Sequence, residues 1–307
     1  MKVLTLGACG FVGKYLKQEL EKNEHTVHTI DIQGNPDFML DLLDADKVYA
    51  HLAAHRYDAV VHLAGFSSVQ RSWEMPRRTL ELNVFTTLNL LEGIEKTGLP
   101  TRALLIGSSD QYGVVPQDKC MVRETDECHP KSPYAISKQT QEAMALALAA
   151  GRKLDVVMTR SFNHIGPGQR KGFAVSDFAS AIAEIREGDE HAIYVGNTDV
   201  YRDFSDVRDV ARAYRLLLEK GRSGEIYNVG SGSVHSIQTI LETLIHLSGK
   251  KIEVRLDPAK FRPVDLVKIG CINEKLRVQT GWTPEIPMHK SIVDTLAWWN
   301  EQTDARA

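Results

Sequence analysis

Cysteine is scarce in this chain: Cys9, Cys120, Cys128 and Cys271 are scattered through 307 residues, and no two of them form a CxxC pair. That spacing argues against a zinc cluster or a disulfide framework and suits a reducing compartment, so the expected location is cytoplasmic. Long apolar runs are missing as well. No window approaches 18 uninterrupted apolar residues, and the opening Met-Lys-Val-Leu-Thr-Leu-Gly is too short for a signal peptide, so no membrane span or membrane partner is expected. Neither sign of charge is in excess. The net charge of -3 gives no electrostatic case for a nucleic-acid partner, so basic residues that matter must act locally on a small anion. Internal repeats and low-complexity tracts are also lacking.

What is present is ordinary globular material, 43% hydrophobic and 25% charged, in a chain long enough for two lobes. The first half alternates short apolar runs with helical spacing. Lys2–Leu6, Thr26–Asp31, Ala59–Ala64, Ala103–Gly107 and Leu154–Arg160 read as strands, with Phe11–Leu20, Thr79–Glu95 and Ser132–Ala150 as helices between them. Near-continuous apolar strands separated by helices predict an α/β fold with a parallel sheet covered on both faces. After Arg160 the texture changes. Asn163–Gly172 carries Gly166, Pro167, Gly168 and Gly172 and reads as a loop at a lobe boundary. Phe173–Glu187, Val207–Leu218, Ser236–Leu247, Asn273–Thr280 and Met288–Trp299 read as helices, and Glu225–Val229 as a last sheet strand. The expected division is a nucleotide-binding domain over 1–168, to which 205–230 return, and a smaller interleaved lobe over 169–204 and 231–307.

Gly7-Ala-Cys-Gly10-Phe-Val-Gly13 follows the first strand and opens the first helix. Gly7 permits a tight turn, Gly10 lets a pyrophosphate approach the backbone, and Gly13 lets the helix pack close to the sheet, while the helix N-terminus supplies N–H groups to phosphate. The spacing is GxxGxxG rather than GxGxxG, and a glycine turn without a ligand would look the same. Asp31 strengthens the ligand reading, because it ends the second strand where a carboxylate can accept from ribose hydroxyls. A carboxylate there repels a 2′-phosphate, which favours NAD(H) over NADP(H), although the latter stays possible. Asp41 and Leu42 could flank the adenine, with an N-cap role for Asp41 equally open.

Tyr134-Ala-Ile-Ser-Lys138 lies just after Pro133 at a helix start, so its phenol and ammonium share one face a turn apart. A neighbouring ammonium and a positive nicotinamide ring would favour tyrosinate and lower the phenol pKa from about 10. YxxxK occurs by chance on amphipathic helices, but Ser108 stands directly after the strand Ala103–Gly107. Ligands of doubly wound sheets bind at the carboxyl ends of strands, so glycine turn, serine and Tyr/Lys pair converge on one crevice.

With His62-Leu63-Ala64-Gly65, Gly107-Ser-Ser-Asp-Gln-Tyr-Gly113 and Ser132-Pro-Tyr-Ala-Ile-Ser-Lys138, the chain resembles the extended short-chain dehydrogenase/reductases that act on nucleotide sugars. The resemblance implies a Rossmann doubly wound parallel sheet with a smaller α/β lobe for the nucleotide sugar. It implies Ser108, Tyr134 and Lys138 as catalytic residues. It also implies Gly7, Gly10, Phe11, Val12, Gly13, Asp31, Asp41, Leu42, Leu63, Ala64 and Gly65 at the cofactor, joined by Tyr134 and Lys138. Arg160-Ser-Phe-Asn163-His164-Ile-Gly166-Pro-Gly168-Gln169 looks like the substrate loop of GDP-4-keto-6-deoxy-D-mannose reductases. Val195-Gly-Asn, Tyr201-Arg202-Asp203-Phe204 and Arg262-Pro-Val-Asp265 resemble the same group and the related GDP-mannose 4,6-dehydratases. Asn163, Arg202 and Arg262 would then hold the diphosphate or sugar, with Ser109 and Asp110 nearby; guanidinium forks suit phosphate oxygens, and ordinary ion pairing is the plainer role. The implied reaction is reduction of the C4 ketone of a GDP-4-keto-6-deoxyhexose. A 4,6-dehydratase or epimerase on the same scaffold is the alternative, for which Asp110 is one methylene shorter than the glutamate of the dehydratases.

His51 and His55 are four apart on a helix but lack a third ligand, so they read as a solvated face and no metal is expected. His62 reads as a satisfied core residue, His164 as either a substrate contact or a structural hydrogen bond, and Trp298 and Trp299 as packing of the small lobe. Helices Thr79–Glu95 and Ser132–Ala150 carry more apolar residues than one sheet contact needs. That surplus points to a homodimer through a helix bundle, or to burial of both faces inside the monomer.

Overall fold

A computed structural model describes residues 1–116, 120–186, 191–261 and 267–305. Strands Ala59–His62 and Val156–Ser161 are buried at every position, as near-continuous apolar runs require. They belong to a seven-stranded sheet whose order is Ile226–Val229, Val156–Ser161, Arg102–Ser108, Ala59–His62, Lys2–Leu6, Thr26–Asp31, Phe38–Met39. All of its pairings are parallel. Chain order reverses between Lys2–Leu6 and Ala59–His62, so a crevice opens beyond the carboxyl ends of those two strands.

Helices Phe11–Lys22 and Val207–Lys220 pack against each other on one face, with Leu16, Leu20, Tyr214 and Leu217 in a common core. Leu90, Leu91, Ala145 and Ala149 of helices Thr86–Thr97 and Pro133–Arg152 cover the other face. A separate core joins Ala174–Glu184, Ile237–Ser248 and Met288–Asp304. Trp299 is buried in it and donates from Nε1 to Ser176 Oγ at 3.1 Å, with Trp298 edge-on beside it. Within 231–307, however, Leu276 and Trp282 pack into the core beneath Val207–Lys220.

Several elements depart from the sequence-based expectation. The run Ala59–Ala64 leaves the sheet after His62, because Gly65 at φ 152° swings the chain outward. Thr79–Glu95 is three pieces, Pro76–Leu80, a widened π-turn Glu81–Phe85, and Thr86–Thr97. The π-turn presents Asn83 to the chain that leaves the sheet: its Oδ1 accepts from Phe66 N at 2.7 Å, and its Nδ2 donates to Phe66 O and to Ser137 Oγ. The helix of the glycine-rich region runs over Ala174–Glu184, and Glu187 lies outside the described residues. Short strands unseen in the pattern, Asn163–Ile165, Tyr201–Asp206, Val234–Ser236 and Lys268–Cys271, build a second sheet around Tyr201–Asp206.

The solvated face expected for His51 and His55 is corrected. Both rings are partly buried in a cluster with Phe38 and Tyr57, and the Tyr57 hydroxyl lies 2.8 Å from His51 Nε2 and 3.0 Å from His28 Nδ1. Aromatic contact and a shared hydroxyl outcompete water there. Among the described residues no group of three metal-ligating side chains comes together.

Candidate active site

The glycine turn is shaped by its contacts. Gly7, at φ 77°, donates its N–H to Ile30 O at 2.9 Å, and a Cβ there would lie 2.7 Å from Ala64 N. A Cβ on Gly13 would meet Ala8 O at 2.5 Å, so only glycine lets the helix start this close to the turn. Gly10 caps Phe11–Lys22 with no side-chain hydrogen bond, leaving the helix N–H groups turned toward the crevice for an anion. Such a cradle fits a pyrophosphate. Asp31 closes it from the neighbouring strand: Oδ2 accepts from Cys9 N at 2.9 Å, and Oδ1 from Ile32 N at 2.7 Å and Gln33 N at 3.3 Å.

A strand-to-helix junction and a helix start bring in the Ser108, Tyr134 and Lys138 side chains. Ser108 ends its strand and begins a short 3-10 turn, where its Oγ accepts from Asp110 N at 3.2 Å. Ser132 caps the helix Pro133–Arg152 by accepting from Ala135 N, with Pro133 at its first position. Tyr134 is thereby fixed in the first turn, and its N–H also donates to Ser72 Oγ at 3.2 Å. The Tyr134 phenol lies beside the Ser108 side chain, and both line the same cavity. One turn on, the Lys138 ammonium donates to Ile106 O at 2.7 Å and Gln141 Oε1 at 3.0 Å.

The electrostatics correct one expectation. Burial pushes the Tyr134 phenol well up and Asp110 adds to the rise, with only the Ser108 side chain opposing. The ammonium expected to lower it is itself buried against neutral acceptors, which drives Lys138 down to about 8. Desolvation is thus the largest cause of both shifts. A phenol held protonated is an acid in its resting state.

One cavity of about 1420 Å³ takes in both halves of this arrangement. Its walls include Gly7, Gly10, Phe11, Val12, Gly13, Asp31, Asp41, Leu42, Leu63, Ala64 and Gly65 at one end. Ser108, Ser109, Asp110, Tyr134 and Lys138 line its middle, and Asn163 and Arg202 lie toward the small lobe. Asn163 Nδ2 donates to Asp203 O at 3.2 Å, and Arg202 Nη1 to Tyr201 O at 2.9 Å. Arg262 lies outside the described residues. His164 also lines the cavity; burial drives its imidazole down to about 4, and Nδ1 has no hydrogen-bond partner among the described residues. His62 is core, with Nε2 3.2 Å from Thr86 Oγ1 and Nδ1 unpartnered among the described residues.

Sequence reasoning missed Arg170 and Ser67, which face each other on this cavity at 3.3 Å, and Tyr194 and Lys260 on the small-lobe wall. Arg170 carried a visible signal as a cation inside the glycine-rich loop. Tyr194 reaches the wall through a strand pairing, Ala192–Val195 with Glu253–Leu256, that no local pattern marks.

The family profile described as GDP-mannose 4,6 dehydratase matches residues 4–295. The chain belongs to this family. It is therefore an extended short-chain dehydrogenase/reductase. A GDP-6-deoxy-D-mannose reductase of Pseudomonas aeruginosa is 35% identical over 98% of this chain and 98% of its own length. A GDP-mannose 4,6-dehydratase of Yersinia enterocolitica is 26% identical over 96% and 93%. Among solved structures, RMD from Pseudomonas aeruginosa complexed with NADPH superimposes with a TM-score of 0.89 at 34% identity, covering 98% of this chain and all of that one.

Proposed function

We propose that this protein reduces the C4 ketone of a GDP-4-keto-6-deoxyhexose to a GDP-6-deoxyhexose, of the GDP-D-rhamnose type, with NADH or NADPH. The observation that carries the reading is the meeting of the buried Ser108, Tyr134 and Lys138 on one cavity with the glycine cradle. Reduction makes an alkoxide, which needs a proton donor at the carbonyl oxygen, and a phenol held protonated by burial meets that need. A bound nicotinamide would supply the hydride. Tyr134 protonates the oxygen, Ser108 donates a hydrogen bond to it, and Lys138 offers its remaining N–H to a ribose hydroxyl. Gly10, Gly13 and the first helix hold the pyrophosphate, Asp31 the adenosine ribose, and Asn163, Arg202 and Arg262 the substrate diphosphate or sugar.

The 35% identity to a reductase against 26% to a dehydratase favours this reaction over its alternative. Asp110, whose charge acts on the Tyr134 phenol, is a carboxylate that a 4,6-dehydratase could use to take the C5 proton. The two are separated by supplying GDP-mannose alone and, in parallel, the freshly made keto sugar nucleotide with NADH or NADPH. Loss of absorbance at 340 nm with the keto sugar supports the reductase. A keto product from GDP-mannose without cofactor consumption supports the lyase.

Trp73, Met75, Leu80, Phe85 and Ile136 are exposed on adjoining helices, and we assign this face to a homodimer built as a helix bundle. All four cysteines are free, as a cytoplasmic enzyme requires, and among the described residues no helix is long and apolar enough to cross a membrane.

A further inference from the structure

Beneath Ser108 lies a buried polar chain that the proposed chemistry leaves unused. Gln111 is fully buried, and its Oε1 accepts from Ser108 N at 2.8 Å. Its Nε2 donates to Glu142 Oε2 at 2.9 Å and to Gln139 Oε1 at 3.1 Å. Glu142 in turn pairs with Arg160 through two bonds, Nε to Oε2 at 2.9 Å and Nη2 to Oε1 at 2.7 Å. The pair is almost wholly buried, with Arg160 also 4.8 Å above the Tyr112 ring and donating to Glu124 O. Gly107 leaves the room this requires: a Cβ there would lie 2.6 Å from Gln111 Oε1 and 2.3 Å from Thr159 O.

We propose that Gln111 is a positioning residue that fixes Ser108 for proton transfer, and that the Glu142–Arg160 pair sets which way its amide points. An ionised carboxylate only accepts, so the amide nitrogen of Gln111 must face Glu142 and its oxygen must face the Ser108 N–H. Turning the amide over would set oxygen against oxygen at Glu142 and N–H against N–H at Ser108. Arg160 donates to both Glu142 oxygens and so holds them as acceptors facing the amide, which sets the direction of the whole chain. A buried ion pair contributes little net stability compared with an apolar replacement, so orientation, rather than strength, accounts for this one. Arg160 thereby reaches the reacting oxygen through three residues without touching it.

The proposal rests on the reading that Ser108 and Tyr134 manage the proton. Gln111→Met keeps the length and loses all three side-chain hydrogen bonds. Its kcat should fall by about tenfold to a hundredfold, since small displacements of a reacting group are that costly. KM for keto sugar and cofactor should stay within about twofold. In a Ser108→Ala background the same change should cost nothing further, because the two act as a unit. Glu142→Gln, a milder change at the next link, should reproduce the pattern. In the free protein, amide hydrogen exchange at Ser108 should quicken in both variants. Wild-type kcat in Gln111→Met, an equal loss with Ser108 already replaced, or unchanged exchange at Ser108 would overturn the proposal. Failure of the wild type to reduce the keto sugar defeats the functional reading instead, and the exchange comparison still decides the positioning.

Discussion

The Asp31 carboxylate accepts from the backbone N–H of Cys9 at 2.9 Å, tying the end of the second strand to the glycine turn. In the proposed reading the same group would lie against the adenosine ribose, and so would couple the shape of the turn to cofactor choice.

Asp31→Asn removes that charge and keeps one accepting oxygen. Titration by nicotinamide fluorescence should show the wild type binding NADH more tightly than NADPH. In the variant the ratio should move toward NADPH by about tenfold, as repulsion of the 2′-phosphate is relieved. The thermal midpoint should fall modestly, because the one remaining oxygen can accept from Cys9 N or from Ile32 N and Gln33 N but not from both sides.

Tyr134→Phe should lower kcat by about a thousandfold, the scale of a lost general acid, while cofactor binding stays intact. Wild-type kcat should also decline as pH rises through about 8, where the buried Lys138 ammonium gives up its proton. Stopped-flow single-turnover rates between pH 6 and pH 10, taken as about even steps, read this limb directly.

Acid should destabilise the fold through three histidines. Burial holds His51 and His164 down at about 4 and His62 at about 3, against an ordinary value of 6.5. As pH falls below about 6.5 the unfolded chain takes up protons that the folded chain refuses, so stability is lost from there down toward the folded values. Calorimetry should show the midpoint dropping from pH 7 to pH 5, and His62→Gln should flatten that slope.

Phe85→Glu, placed on the exposed apolar face, should convert a dimer to a monomer in light scattering without unfolding the chain. A wild type that already runs as a monomer would remove the dimer assignment.

The glycine turn, the strand-end serine and the Tyr134/Lys138 pair were legible because each is local: a few neighbouring letters fix the geometry and the sheet rule brings them together. Tyr201–Asp206 was not. Its letters, Tyr-Arg-Asp-Phe-Ser-Asp, look like a loop, yet it is the centre of the second sheet. The buried Asp203 collects N–H groups from Ser231, Gly232 and Cys271, a distant convergence that no period of two announces. The direction of the Tyr134 shift is hidden from the sequence for a related reason. Spacing puts a cation nearby, but only packing shows that burial dominates.

The most direct test of the account follows the hydrogen atom. Cofactor carrying deuterium at the transferring C4 position, incubated with the GDP-linked 4-keto-6-deoxyhexose, should yield a GDP-6-deoxyhexose with deuterium at sugar C4 by NMR, one label per cofactor consumed. Recovery of unlabelled keto sugar, or product without deuterium at that carbon, would contradict it.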